Sequence, residues 1–240
     1  MQTFKPVKTK RAYEEVCDQI RAEIQSGHLS TGDHLPSERE LARLFHVSRA
    51  TIREALRTLE IAGVLSLHKG VHGGAIVTNG DMRPIMQTME DLLSLGGLSL
   101  KEYTEARVCV QREIIQLVIE RGTEEDFTAM EENIERMREY STLSQIEDRT
   151  KFTVEFYTIL AAATKNRAMS VLMAAVTEPL SYYIKQIGID RTWDVAASRT
   201  KFVGHLRERN AELAIYEMMD HMQRLHKHLL SYESNHKRIR

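Results

Sequence analysis

The stretch PSERELARLFHVSRATIREALRTLEIAG, residues 36 to 63, decides how this chain folds. Ser37 with Glu40 three residues later is a capping-box signature ahead of the apolar Leu41, Leu44 and Phe45, so a helix starts sharply there. His46 and Val47 leave almost no chain before Ser48, a second N-cap residue, and the two helices must turn tightly against each other as in a helix-turn-helix. In the second of them Ile52, Ala55, Leu56 and Leu59 recur at spacings of three and four and form an apolar face. Arg49, Arg53 and Arg57 step by four along another side. One face packs, and the other is available to anions. Taken alone, the arginine stripe equally fits the solvated side of a packed helix shared with Glu54 and Glu60, so its surroundings have to decide.

Upstream, Ala12 to Gln25 carries Val16, Ile20 and Ile24 at helical spacing and is closed by Gly27. A Gly-containing turn then leads to Pro36. Downstream, VLSLHKG and AIVT are short runs rich in branched apolar residues, joined through Gly70, Val71, His72, Gly73 and Gly74, and they read as a small β-hairpin, a wing. Three helices and a hairpin therefore occupy the first 80 residues. From Met82 onward the periodicity is helical, with segments near 82–95, 99–120, 123–141, 145–164, 167–187, 192–208 and 210–233 and only Pro84 and Pro179 to interrupt them. Asn79, Gly80 and Asp81 mark the junction. The expected fold is mainly α: an N-terminal winged helix-turn-helix over 1–80 with its β-hairpin wing, then an all-α helical bundle over 81–240.

At 240 residues with 42% hydrophobic content, the chain is long enough for ordinary cores. A net charge of -1 excludes a grossly basic coat but not a local basic patch. Residues 1–80 hold 11 Lys and Arg against 9 Asp and Glu, whereas residues 81–240 hold 22 against 25, so the halves differ in sign. No stretch approaches the roughly 18 uncharged apolar residues of a membrane span, which makes a soluble cytoplasmic protein the expectation. Cys17 and Cys109 lie far apart inside helical patterns and read as small buried apolar residues rather than a disulfide or metal pair. Gly-rich phosphate loops, GxSxG and HExxH are missing, so no catalytic residue is assigned. His68 and His72 have no third ligand nearby and read as polar loop residues. A helical domain of about 150 residues is large for dimerisation alone, and bundles commonly hold ligands in their cores.

The run LPSERELARLFHVSRATIREALRTLEIAGVL with the later HKGVHGGAIV resembles the DNA-binding domain of the GntR superfamily of transcription regulators. The helical remainder resembles its FadR subfamily, with an FCD-type effector domain. The resemblance implies DNA contacts from Arg39, Ser48, Arg49, Ala50, Thr51, Arg53, Lys69 and Gly70. The tip of the recognition helix would enter the major groove, where Arg49 and Arg53 can each donate two hydrogen bonds to a guanine. The wing would reach the minor groove, and a homodimer would read a short palindromic operator, most often as a repressor. Arg57 lies a turn further back, and a phosphate contact and a solvated side chain both remain open for it.

FCD domains usually bind a divalent metal through an Asp, a His four residues later, and two further His 22 residues apart. With the register set by FYTILAAATKN and AELAIYEMMDH, these positions fall on Thr153, Tyr157, Arg199 and His221. Three of the four have lost their ligand chemistry and one has become a cation, so no metal and no cofactor is expected. Arg107, where family members often present an Arg to the pocket, joins Thr153, Tyr157, Arg199 and His221 as the expected effector-binding set, with Gln111 standing where the family often has Glu. The implied effector is a small anion, a carboxylate or an acyl-CoA. The alternative for Arg107 and Arg199 is an ion pair with one of the many glutamates, and a relocated metal site on His221 and His228, two turns apart, is a minor one. His205, His226, His228 and His236 read as surface residues. Competing functions are a ligand-independent architectural DNA-binding protein and an enzyme housed in the helical domain.

Overall fold

The computed structural model describes residues 11–68, 70, 73–141, 146–187 and 194–237. The wing residues Lys69 and His72 and the last residues of the tail lie outside them. By its contacts the chain divides into two compact units, Met1–Pro84 and Ile85–Arg240. Among the described residues the protein is mainly α, with ten helices and one two-stranded antiparallel sheet. None of those helices is long and apolar enough to cross a membrane.

In the first unit α1 (Ala12–Gln25), α2 (Glu38–Leu44) and α3 (Arg49–Ile61) are followed by β1 (Leu65–His68) and β2 (Gly74–Val77). The apolar face of α3 is fully used: Ile52, Ala55, Leu56 and Leu59 pack with Val16, Cys17 and Ile20 of α1, Leu41 of α2, and Leu65, Ala75 and Val77 of the hairpin. Strand register pairs Leu65 with Val77 and His68 with Gly74, so the period of two sends these core residues inward. Residues 32–35, which read as a turn, add a third edge to the wing. The backbone N–H of Leu35 donates to Ala75 O at 2.8 Å, and that of Val77 donates to Asp33 O at 3.0 Å.

Two expectations in α2 fail. Ser37 Oγ accepts from the Glu40 backbone N–H, but only this half of the capping box forms. Leu44 is 57% exposed, because a helix of seven residues ends before its apolar stripe completes a second turn over the core. The turn into α3 is closed by His46 in the left-handed region, φ 53°, with the Val47 N–H donating to Ala42 O at 3.1 Å.

After α4 (Arg83–Ser94), the second unit comprises α5 (Leu100–Arg121), α6 (Glu124–Ser141), α7 (Ile146–Ala162), α8 (Arg167–Ile187), α9 (Val195–Arg207) and α10 (Ala211–Lys237). A full capping box between Ser99 and Glu102 starts α5. At its other end Arg209 donates to the carbonyls of Val118, Ile119 and Gly122 at 3.2, 2.7 and 2.7 Å, satisfying acceptors that the helix itself leaves free. The core is built from Ile114 and Val118 of α5, Phe127, Met130 and Ile134 of α6, Phe156 and Leu160 of α7, Phe202 and Leu206 of α9, and Met218 and Met222 of α10.

The expectation of two buried cysteines holds for Cys17 and fails for Cys109, which is exposed. Tyr103, Arg107 and Gln111, not Cys109, fall on the inward stripe of α5. His205, His226 and His228 are half-buried rather than on the surface, and His226 Nδ1 sits 2.9 Å from Thr104 Oγ1. The His236 side chain is outside the described residues.

Gly63 ends α3 with φ +72°, and a Cβ there would lie 2.8 Å from both Asp81 Cβ and Asp81 O. The same carbonyl of Gly63 accepts from Asp81 N–H and Thr78 Oγ1, so the two segments cannot separate without losing these bonds. Gly63→Ala combines left-handed strain with a backbone collision and should destabilise the first unit by about 2 kcal/mol or more. Chemical denaturation followed by a probe in this unit checks it, and an unchanged midpoint would refute it.

Candidate functional site

In the first unit, Ser48 caps α3 by accepting from the Thr51 N–H at 3.1 Å, and its Oγ lies 2.9 Å from Thr51 Oγ1. The cap leaves the amino end of α3 pointing outward, with Arg39, Ser48, Arg49, Ala50 and Arg53 exposed and Thr51 half-buried. These residues are close in space because α2 ends and α3 begins within one tight turn. Arg49 Nη2 and Arg53 Nη1 converge on Glu38 Oε2 at 3.7 and 3.8 Å. Glu38 was not singled out by the sequence; a carboxylate at the first position of a helix reads as a dipole partner, and only the crossing of α2 over α3 makes it a tether for two arginines. Such exposed pairs are weak, on the order of 0–1 kcal/mol, so the guanidinium groups stay available. Arg57 is exposed as well. Gly70 is exposed at φ +115° with open space around it, while Lys69 is outside the described residues.

The second unit places Arg107 and Arg199 on the core-facing stripes of α5 and α9, where periodicity would put aliphatic side chains. They are 3% and 4% exposed. Neither forms an ion pair among the described residues. Arg107 Nε and Arg199 Nη2 are buried without a hydrogen-bond partner, Arg199 Nη1 lies 3.4 Å from the Met137 thioether, and the Tyr157 hydroxyl is a polar neighbour of the Arg199 guanidinium. The expected alternative of a glutamate partner is therefore not met among the described residues. Instead the rings of α7 take the charge: Arg199 Cζ lies 4.4 Å from the Phe156 ring centre and 5.7 Å from that of Tyr157, and Arg107 Cζ lies 5.3 Å from Tyr157. Cation–π contacts of this kind recover about 0.5–2 kcal/mol each, less than the several kcal/mol that desolvating an ion costs.

Tyr157, Arg199 and His221 line one small pocket, partly open to solvent, with Phe156, Ser198, Phe202, Glu217 and Met218. Arg107 does not line this pocket and lies behind it against the Tyr157 ring, 5.3 Å from its centre. Thr153, one turn before Tyr157 on α7, is half-buried and does not line the pocket. The aromatic, methionine, serine and glutamate walls were invisible to the sequence reading, since nothing in their spacing separates them from ordinary core and surface positions.

Burial pulls the Arg199 pKa down to about 10, with Tyr157 opposing the shift and the Arg107 charge adding to it. Burial, followed by the charges of Arg199, Arg107 and Arg224, holds His221 well below the usual imidazole value. The donor set does not fit a divalent metal: a buried guanidinium occupies one family ligand position, and the Tyr157 ring occupying another lies beside both arginines. Among the described residues no three His, Cys, Asp or Glu side chains come together, His221 and His228 included.

A buried neutral histidine has a direct consequence for stability. Its folded pKa lies below the ordinary value of 6.5, so below pH 6.5 the unfolded chain binds a proton that the folded chain refuses. The contribution is present above pH 6.5 and is lost as pH falls toward the folded pKa, with a limiting slope of about 1.4 kcal/mol per pH unit. Urea unfolding at pH 6.5 and 5.5 should show His221→Asn losing much of this slope, and a parental slope in the variant would refute the assignment.

Comparison with known proteins agrees with this architecture. Residues 12–72 match the family described as bacterial regulatory proteins, gntR family, and residues 102–224 match the FCD domain. The chain is 25% identical over 226 residues to the uncharacterized HTH-type transcriptional regulator YcbG of Bacillus subtilis, covering 90% of this chain and 89% of that protein. It is 27% identical over 157 residues to the HTH-type transcriptional regulator LutR of the same organism, covering 65% of this chain and 70% of that one. Among solved structures it shares the fold of Streptococcus agalactiae GntR, with a TM-score of 0.61 at 21% identity, covering 90% of this chain and 99% of the other. A winged helix-turn-helix with exposed arginines on its third helix, joined to an FCD bundle, makes this chain a member of the GntR superfamily of transcription regulators, of the FadR type.

Proposed function

We propose that the protein is a cytoplasmic repressor that binds a short palindromic operator as a homodimer and releases it when a small anionic effector enters the helical bundle. In this reading residues 1–80 contact DNA and residues 81–240 bind the effector and dimerise. Arg49 and Arg53 read guanine edges in the major groove, with Arg39, Ser48, Ala50, Thr51, Lys69 and Gly70 completing the contact to bases and backbone. Two-fold symmetry of the protein matches two-fold symmetry of the operator.

The observation that carries the effector half is the pair of buried guanidinium groups without a carboxylate partner. An uncompensated buried cation is a standing cost to the free protein, and an anion arriving at Arg107 and Arg199 removes it. Tyr157 and His221 supply further polar contacts, and Thr153 borders them on α7.

Two experiments test the reading. Arg49→Ala and Arg53→Ala should each weaken binding to an operator found by in vitro selection by about 1–3 kcal/mol while leaving the fold intact; unchanged affinity in both would refute the DNA assignment. Arg199→Met should raise the melting temperature of the effector-free protein, because a buried charge is exchanged for an apolar side chain of similar length. It should also abolish stabilisation by succinate and operator release. A variant that is less stable, yet still responds to succinate as the parent does, would mean that Arg199 is structural.

A further inference from the structure

We propose that Glu38 is a positioning residue for DNA reading, one that makes Arg49 and Arg53 favour guanine edges over the phosphates found on any duplex. The proposal rests on the DNA-binding reading above and concerns a side chain that meets the two arginines from another helix. Glu38 opens α2, where Ser37 Oγ accepts from the Glu40 backbone N–H and the buried Leu41 anchors the helix to the core. Its carboxylate therefore approaches α3 from a fixed base. Oε2 lies 3.7 Å from Arg49 Nη2 and 3.8 Å from Arg53 Nη1. The Glu38 side chain is 36% exposed, against 62% and 58% for the two arginines, so the cations stand further into solvent than the anion that holds them.

Two guanidinium groups at i and i+4 repel each other and, left alone, splay apart. A shared carboxylate offsets that repulsion and draws both toward one point. Each guanidinium carries five N–H donors in a planar fork, and a guanine takes two of them through O6 and N7. One edge can stay on Glu38 while another meets a base, so the tether and the base contact coexist. A phosphate at an unmatched site offers a different exchange. Its charge repels the Glu38 carboxylate, and the three side chains present it with one net positive charge instead of two. Glu38 thus lowers affinity for arbitrary sequence more than affinity for the operator, and the gap between the two is specificity.

The test measures binding of the full chain to an operator selected in vitro with the parent protein and to a scrambled duplex of the same length, each at several salt concentrations. Glu38→Gln keeps the shape of the side chain and removes its charge. It should raise affinity for the scrambled duplex about fivefold, the effect of one unit charge at about 4 Å in water. The salt slope of that binding should steepen by about 0.9 for each freed arginine that finds a phosphate. Operator affinity should rise less, so the operator-to-scrambled ratio should fall about threefold or more. Glu40→Gln is the control: it removes the same charge from the same turn of α2, and among the described residues Glu40 contacts neither arginine. Its ratio should match that of the parent. A ratio unchanged in Glu38→Gln, or lowered equally in Glu40→Gln, would overturn the proposal while leaving DNA binding by Arg49 and Arg53 standing. A parent protein with no preference for any selected duplex would overturn both readings.

Discussion

The effector domain is organised around a charge that the protein cannot discharge. A guanidinium keeps its proton at neutral pH even with its pKa drawn down to about 10, so burying Arg199 on the inner stripe of α9 obliges its neighbours to accommodate a cation. They do so with ring faces from α7 and the thioether of Met137 rather than with a carboxylate. The Arg199 charge adds to the lowering of the His221 pKa that burial begins, and the Tyr157 ring is shared between the two arginines. A buried cation so placed, with an N–H left without a hydrogen-bond partner, is a standing cost to the fold.

The DNA-reading unit obeys a simpler constraint. Every apolar position on the inner face of α3 is spent on packing against α1 and the wing, which fixes the rotation of the helix and leaves its arginine side exposed. Ser48 sets where the helix begins, and the tight turn at His46 sets its angle to α2. Glu38 then steadies Arg49 and Arg53 through long contacts that hold them only weakly. The two units thus present positive charge in opposite ways, exposed on α3 in the first and buried on α5 and α9 in the second.

Helix positions were read well because both units are built on long amphipathic repeats, and caps such as Ser48, Ser99 and Gly63 sit where their chemistry requires. The misreadings have one physical origin. Periodicity says which face of a helix is apolar, but it does not say whether anything covers that face. Leu44 lies on an apolar stripe that runs past the edge of its core, and Cys109 lies on the outer side of α5. The half-buried His205, His226 and His228 are the same error with the sign reversed. The strand-like pairing of residues 32–35 with β2 depends on a non-local ladder with no local signature.

By itself, then, the sequence determined the order and type of the elements and the arginine stripe on the outer side of α3. Each of these depends on spacing along a single helix or on the chemistry of a single residue. The tertiary structure alone decided that the guanidinium groups of Arg107 and Arg199 lie over aromatic rings, that Thr153 stays off the pocket wall while Ser198 and Glu217 join it, and that Glu38 meets both Arg49 and Arg53. Those facts depend on which helix faces cross at which depth, and burial and charge pairing between distant segments arise only when the faces come together.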